Sequence, residues 1–304
     1  MRMVVSRMVL ICVVIALVIS FGCGRKDEPV EIKTGFLDIG TAKIYYEEAG
    51  KGSPVVMIHG GLLNASMWDD QFEEFARSYH VIRYDARGHG RSASEPDTFS
   101  HHEDLHGLIE TLALEKPVIM GLSMGGYAAI DFALEYPGAA SALVLVSPGL
   151  SGYEFRSEEF IEFSKRIGVA VQNENIEAIV EAFQTAWTDG PRRKPDGIDP
   201  TVREKVRTMV KENVERWDER SIEYRPLPLA IERLSDLRLP VLALVGDLDM
   251  PGILKIVELI ESEVPDAQTV MIPGVAHMIN MEKPEELNRT VLQFLATLPS
   301  SPKD

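Results

Sequence analysis

Six times between residues 55 and 272 the chain repeats one pattern, a short apolar run set apart from the next by a longer amphipathic stretch. The runs occupy residues 55–58, 81–84, 118–120, 142–146, 241–245 and 269–272. A strand with one wet face alternates apolar and polar residues. A run that stays apolar on successive residues is buried on both faces, as in a parallel sheet covered by helices. The intervening stretches supply those helices. Met67/Trp68, Phe72 and Phe75/Ala76 recur at helical spacing, as do Leu105, Leu108/Ile109 and Leu112, and then Ala129, Phe132/Ala133 and Tyr136 before Pro137. Parallel neighbours must be joined by crossovers, which are right-handed almost without exception. The fold class is therefore α/β, a mostly parallel sheet flanked by helices.

Two stretches depart from the rhythm. Residues 36–39 and 43–47, parted by Gly40, predict a hairpin ahead of the first run. Between about Gly149 and Asp236 no buried-strand run occurs, only helical patterns such as Phe160/Ile161, Phe163 and Ile167, then Ile176, Ile179/Val180 and Phe183. Loops fall at Gly190-Pro191 and Pro195-Asp196-Gly197. An inserted helical subdomain is expected over 150–236, with 35–149 and 237–304 forming the core.

A chain of 304 residues with 45% hydrophobic content has ample material for such a core. Its net charge of −16 excludes a non-specific nucleic-acid binder, because phosphate affinity rests on lysine and arginine. The first 22 residues are of another kind: Arg2 and Arg7 precede or flank an apolar run from Met8 to Ile19, shorter than the ~20 residues that span a bilayer. This predicts a secretory signal peptide. Cys23 follows at the junction with the polar Gly24-Arg25-Lys26-Asp27-Glu28, an arrangement that resembles a bacterial lipobox. The resemblance implies a lipidated Cys23 at the mature N-terminus, a tether over 23–34, and export to a bacterial membrane. A secreted soluble product and an uncleaved N-terminal anchor are the alternatives. Cys12 would leave with the signal, so the mature chain keeps one cysteine and no internal disulfide.

The strongest chemical signal is Gly121-Leu122-Ser123-Met124-Gly125, set between an apolar run and a helical pattern. A sharp strand-to-helix turn holds its serine strained and exposed, and side chains in place of the glycines would collide with the turn. A serine hydroxyl needs a base to become a nucleophile, and an acid to orient that base, in the chain order Ser, acid, His. His277 is the only histidine after Ser123. The loop Gly246-Asp247-Leu248-Asp249 offers two carboxylates, of which Asp249 is favoured because it lies farther from the strand end. Asp247 can serve as a turn-former that bonds its own backbone. A developing oxyanion needs backbone N–H donors fixed in advance. Gly61, in His59-Gly60-Gly61-Leu62, and Met124 are the candidates, with Leu62 as the substitute if the turn is registered one residue later. His59 is expected to support the loop.

His102-Glu103-Asp104-Leu105-His106 also matches His-Glu-x-x-His, in which a helix presents two zinc ligands and a glutamate base. Leu105 belongs to the core stripe of that helix, and no third ligand is evident. No metal and no cofactor are expected.

Together His59-Gly60-Gly61, Asp85-Ala86-Arg87-Gly88-His89-Gly90-Arg91-Ser92, Gly121 to Gly126, Gly246 to Asp249 and Gly274-Val275-Ala276-His277 resemble the successive motifs of α/β-hydrolases. The resemblance covers roughly Phe36 to Leu298. It implies the α/β-hydrolase fold with a helical cap, a triad of Ser123, Asp249 and His277, and a structural role for the Asp85 to Ser92 loop. It further implies a serine hydrolase acting on a small-molecule ester or lactone. Perhydrolase or haloperoxidase-like chemistry at the same serine, and a ligand receptor that keeps the triad without turnover, are the alternatives; oligomeric state is not legible. For location, intact-mass analysis of protein made in a lipoprotein-processing bacterium is expected to show a chain beginning at Cys23 with a diacylglycerol-type mass increase. An unmodified Cys23, or an uncleaved chain, contradicts the lipobox.

Overall fold

Eight long strands lie side by side in the computed structural model, which describes residues 30–216 and 221–299. The expected signal peptide, Cys23 and the first part of the tether lie outside the described residues. The strands are β1 (Ile32–Ile39), β2 (Ala42–Ala49), β3 (Pro54–Ile58), β4 (His80–Tyr84), β5 (Val118–Leu122), β6 (Ala142–Val146), β7 (Val241–Gly246) and β8 (Ala267–Ile272). Their spatial order is β1-β2-β4-β3-β5-β6-β7-β8, with the two-residue strand Ala93–Ser94 added beside β2. β1 and β2 form the hairpin, paired from Ile32 opposite Ala49 to Ile39 opposite Ala42. β2 also runs antiparallel to β4, and every pairing from β4 through to β8 is parallel.

The expected tether ended at residue 34, but pairing already begins at Ile32. β1 is an edge strand whose first three residues are exposed, so its N-terminal half carries no apolar pattern from which a strand could be read.

The helices are α1 (Asp69–Ala76), α2 (His101–Thr111), α3 (Met124–Glu135), α4 (Glu158–Gln172), α5 (Ile176–Phe183), α6 (Pro200–Val214), α7 (Pro251–Glu263), α8 (Ile279–Glu282) and α9 (Pro284–Leu295). They cover both faces of the sheet. Along β3, Val56 and Ile58 join α2, α3 and α7 in one layer of core, while Val55 and Met57 join α1 and α9 in the other. Each such fully buried aliphatic side chain contributes roughly 1.5–3 kcal/mol. No described helix is long and apolar enough to cross a membrane.

Between β6 and β7 the regular structure of the described chain is helical apart from one two-residue strand. α4, α5 and α6 begin at side-chain caps: Ser157 accepts from the Phe160 N–H, Asn175 from Ala178, and Asp199 from Thr201. α5 runs on into a wider π turn, Gln184–Thr188. The strand, Ile222–Glu223, pairs in parallel with Thr98–Phe99 and so returns the insert to the core beside α2.

The chain leaves β3 toward β4 on one side and returns to β5 on the other. In an open parallel sheet this reversal opens a crevice at the carboxyl ends of the strands. His59-Gly60-Gly61 and Ser123 stand at those ends, after β3 and β5.

The loop after β4 is clamped by a buried ion pair, Arg87 Nε and Nη2 donating to the Asp104 carboxylate at 2.8 and 2.6 Å. Removing one partner of a buried pair leaves the other charge uncompensated, at about 3–5 kcal/mol. Asp104→Asn is therefore expected to lower the melting temperature by roughly 6–20 °C in a scanning-calorimetry experiment. The double change Arg87→Met with Asp104→Leu should recover much of the loss. An unchanged melting temperature in Asp104→Asn contradicts the clamp.

Candidate active site

Ser123 lies between the last residue of β5 and the first of α3, with φ 54° and ψ −107°. A non-glycine residue held there is strained by on the order of 1–3 kcal/mol, so its neighbours must hold it. The Ser123 carbonyl accepts from the N–H groups of Gly126, Tyr127 and Gly149 at 3.0, 3.1 and 2.9 Å, and its own N–H donates to Val146 at 3.2 Å. The flanking glycines are required by contact. A Cβ on Gly121 would stand 2.1 Å from the Gly125 carbonyl oxygen, and one on Gly125 would stand 2.3 Å from that of Ile58. α3 thus rests backbone to backbone on β5 and β3, and the serine is pushed up at their ends.

Asp249 and His277 come from the loops after β7 and β8 and meet in the interior, with relative exposures of 0% and 2%. His277 Nδ1 lies 3.0 Å from each Asp249 carboxylate oxygen. The Oδ1 atom also accepts from the Met250 N–H at 2.7 Å. A carboxylate only accepts, so Nδ1 carries a proton, and in the neutral ring Nε2 keeps its lone pair. His277 and Ser123 line the same cavity.

Asp247 takes a different part. Its side chain accepts from the Gly274 N–H at 2.6 Å, so it bonds the loop that carries His277 and not its own turn. Pro251, two residues after Asp249, is the first residue of α7. The histidine loop is also held from the insert: Arg193 donates to Glu282 at 2.6 and 2.9 Å, and Glu282 accepts from the Ala276 N–H at 3.3 Å.

The loop after β3 runs beside the elbow, where a Cβ on Gly60 would come within 3.6 Å of Ser123 Cβ and one on Gly61 within 3.9 Å of Met124 Cβ. The backbone N–H groups of Gly61, Leu62 and Met124 take no acceptor among the described residues. His59 is fully buried, donating from Nδ1 to the Gly60 carbonyl at 2.7 Å and accepting at Nε2 from the Ala86 N–H at 2.8 Å. Burial pushes its pKa down to about 3, so the ring stays neutral and joins the loops after β3 and β4.

Sequence reasoning missed Asn213. This buried residue of α6 donates from Nδ2 to the carbonyls of Leu62 and Leu63, each at 3.1 Å, and accepts from the Gly90 N–H at 2.8 Å. It fastens the insert to both loops. The available signal is a polar residue in the apolar stripe Val206, Met209/Val210, Asn213.

The cavity over Ser123 has a volume of about 490 Å³. Its roof is aromatic, with Phe160 and Phe163 of α4, Phe183 of α5 and Trp187 of the π turn, whose ring centroid lies 4.8 Å from that of His277. Ser123, His277, Tyr127, Tyr153, Ser151 and Arg225 bring polar groups to the lining.

The His-Glu-x-x-His residues are engaged elsewhere. His102 Nδ1 bonds the Ser100 hydroxyl, and His106 stacks on Tyr136 with centroids 3.9 Å apart. Among the described residues no group of three or more His, Cys, Asp or Glu is arranged to hold a metal ion.

Residues 55–290 match the family described as Alpha/beta hydrolase family. The chain is 26% identical to a 2-hydroxy-6-oxo-6-phenylhexa-2,4-dienoate hydrolase of Burkholderia cepacia, over 84% of this chain and 91% of that one. Among solved structures it resembles a thermophilic esterase from Thermogutta terrifontis, at 28% identity and TM-score 0.68, covering 87% and 98% of the two chains. An N-acyl homoserine lactone degrading enzyme matches at 25% identity and TM-score 0.69, covering 86% and 100%.

The close approach at the elbow has a measurable consequence. Gly125→Ala, whose methyl would meet the Ile58 carbonyl at 2.3 Å, is expected to lower the unfolding free energy read from urea titration by roughly 1–3 kcal/mol or more. Gly168→Ala, in α4 with nothing within 4 Å, is expected to raise it by up to about 1 kcal/mol. Equal midpoints for Gly125→Ala and the parent contradict backbone contact between α3 and β3.

Proposed function

The chain belongs to the alpha/beta hydrolase family, and from that premise we propose a serine hydrolase that cleaves a small ester, lactone or related acyl substrate through an acyl-enzyme. The observation that carries this reading is the shared cavity: Ser123 on a strained elbow faces the same space as His277, whose Nδ1 is held at 3.0 Å by buried Asp249.

In this reading His277 Nε2 takes the proton of the Ser123 hydroxyl as the oxygen attacks the substrate carbonyl. Asp249 keeps the imidazole in that tautomer and steadies the imidazolium. The carbonyl oxygen, now an anion, is received by the N–H groups of Met124 and Gly61, with Leu62 as the neighbouring donor. Such a donor is worth ~2.7–4 kcal/mol in a comparable site. The imidazolium returns its proton to the leaving oxygen, and water attacks the acyl-enzyme by the reverse path. The mechanism requires neither metal nor cofactor. The esterase and the lactone-degrading enzyme among the similar structures support an ester or lactone bond as the target. The lipobox-like Cys23 supports attachment of the enzyme to a bacterial membrane.

Purified protein without a partner is expected to turn over short-chain esters or lactones, and Ser123→Ala to abolish that turnover. Asp249→Asn, which leaves the imidazole in the wrong tautomer, is expected to lower kcat by ~10⁴-fold. Asp247→Asn loosens only the loop at Gly274 and should cost far less. Equal losses in the two variants, or full activity in Ser123→Ala, contradict the assignment.

A further inference from the structure

Beyond the groups used above, one cation lines the cavity. Arg225 follows the strand pair Thr98–Phe99 and Ile222–Glu223, and its guanidinium carbon lies over Tyr127, 3.3 Å from the ring centroid. Tyr127 stands four residues after Ser123 on α3, one helical turn away on the same face. The cation therefore sits beside the elbow, in a cavity otherwise roofed by aromatic rings.

Its bonds leave part of it free. Nε lies 3.3 Å and Nη2 3.4 Å from the Glu223 carboxylate, and Nη1 donates to the Ser151 hydroxyl at 3.3 Å. A guanidinium has five N–H groups in a planar fork. Glu223 and Ser151 take three of them and the Tyr127 hydroxyl is a further hydrogen-bond partner, which leaves an N–H group for an oxygen acceptor in the cavity.

The surrounding charges decide which acceptor fits. Glu223 is bound directly to Arg225, and Asp131 lies behind Ser151, accepting from its hydroxyl at 2.6 Å. Two carboxyl groups thus face one guanidinium. Burial raises both, Asp131 to about 6 and Glu223 in the same direction, because loss of water disfavours the charged form. Among the described residues no second cation balances them. His101, with Nε2 3.9 Å from Glu223, is held neutral by burial, and the Tyr127 phenol donates to Glu223 at 3.0 Å. A substrate carboxylate would add a third anion to this cluster, whereas a neutral carbonyl oxygen accepts an N–H group without adding charge.

We propose that Arg225 is a specificity-determining residue that binds a second, neutral carbonyl of the substrate, so that the enzyme prefers acyl substrates bearing a remote ketone or amide over plain alkyl or carboxylate-bearing ones. This rests on the serine-hydrolase reading and names the substrate class within it.

The test uses two series of esters of matched length, one varying the acyl chain and one the alcohol chain. Each series holds an alkyl ester, ketones with the carbonyl moved stepwise along the chain, and a terminal carboxylate. In at least one series a ketone is expected to exceed the alkyl ester in kcat/KM by roughly tenfold to hundredfold, as one hydrogen bond from a charged donor gives, and the carboxylate to fall below both. Arg225→Met should bring the ketone-to-alkyl ratio near one, read within the same protein so that a general loss cancels. Equal kcat/KM for ketone and alkyl esters in both series, a leading carboxylate, or a preference that survives Arg225→Met overturns the inference. The order among wild-type substrates decides even where the variant fails to fold. Failure to turn over any ester sinks the serine-hydrolase reading itself, and this inference with it.

Discussion

At Ser123 the chain passes from a fully buried strand into a buried helix with that single residue between them, and most of the site depends on that turn. It is possible only because Gly121 and Gly125 let backbone lie on backbone. The same contact fixes more than the serine. The Gly125 N–H donates to the His59 carbonyl at 3.1 Å, which joins the elbow to the loop after β3, and the Ser123 carbonyl accepts from Gly149, which joins it to the loop after β6. The serine, the N–H groups beside it and the start of the insert are therefore placed together by one cluster of main-chain hydrogen bonds. Those bonds offset the strain at φ 54°.

The insert does more than roof a cavity. Two loops bearing site residues are fastened to it by polar contacts: Asn213 holds the loop after β3, and Arg193 holds Glu282 beside the loop that carries His277. Lys205 of α6 adds a bond at 2.7 Å to Asp69, which also accepts from Arg83 of β4. Hydrogen bonds to charged partners are stronger than neutral ones. The aromatic roof is thereby located relative to Ser123, and a substrate beneath it meets a wall set by core and insert together.

The sheet was legible because strands buried on both faces cannot conceal their apolar runs, and each of the six appears as a strand within two residues of its expected bounds. The elbow was legible because its steric demand reduces to glycine at two positions. The start of β1 was not, since an exposed edge strand buries too little to leave a pattern. Asp247 shows another limit: sequence suggested a turn within its own loop, whereas its partner is Gly274, 27 residues on. Arg193 and Arg225 carry no local signal, because what distinguishes them from surface arginines is the distant element they face. Asn213 was readable in principle, as a polar residue in an apolar stripe, though no sequence rule says which carbonyls it would meet.

The central claim is that the strained hydroxyl of Ser123 is an activated nucleophile, polarised by an imidazole that Asp249 holds in place. A fluorophosphonate reacts with such a hydroxyl and not with an ordinary serine, so labelling the folded protein and mapping the adduct by peptide mass spectrometry tests it most directly. The expected result is a single stoichiometric adduct on the peptide containing Ser123, lost when the protein is denatured before labelling. An adduct on another residue, or none on the folded protein, would contradict the account.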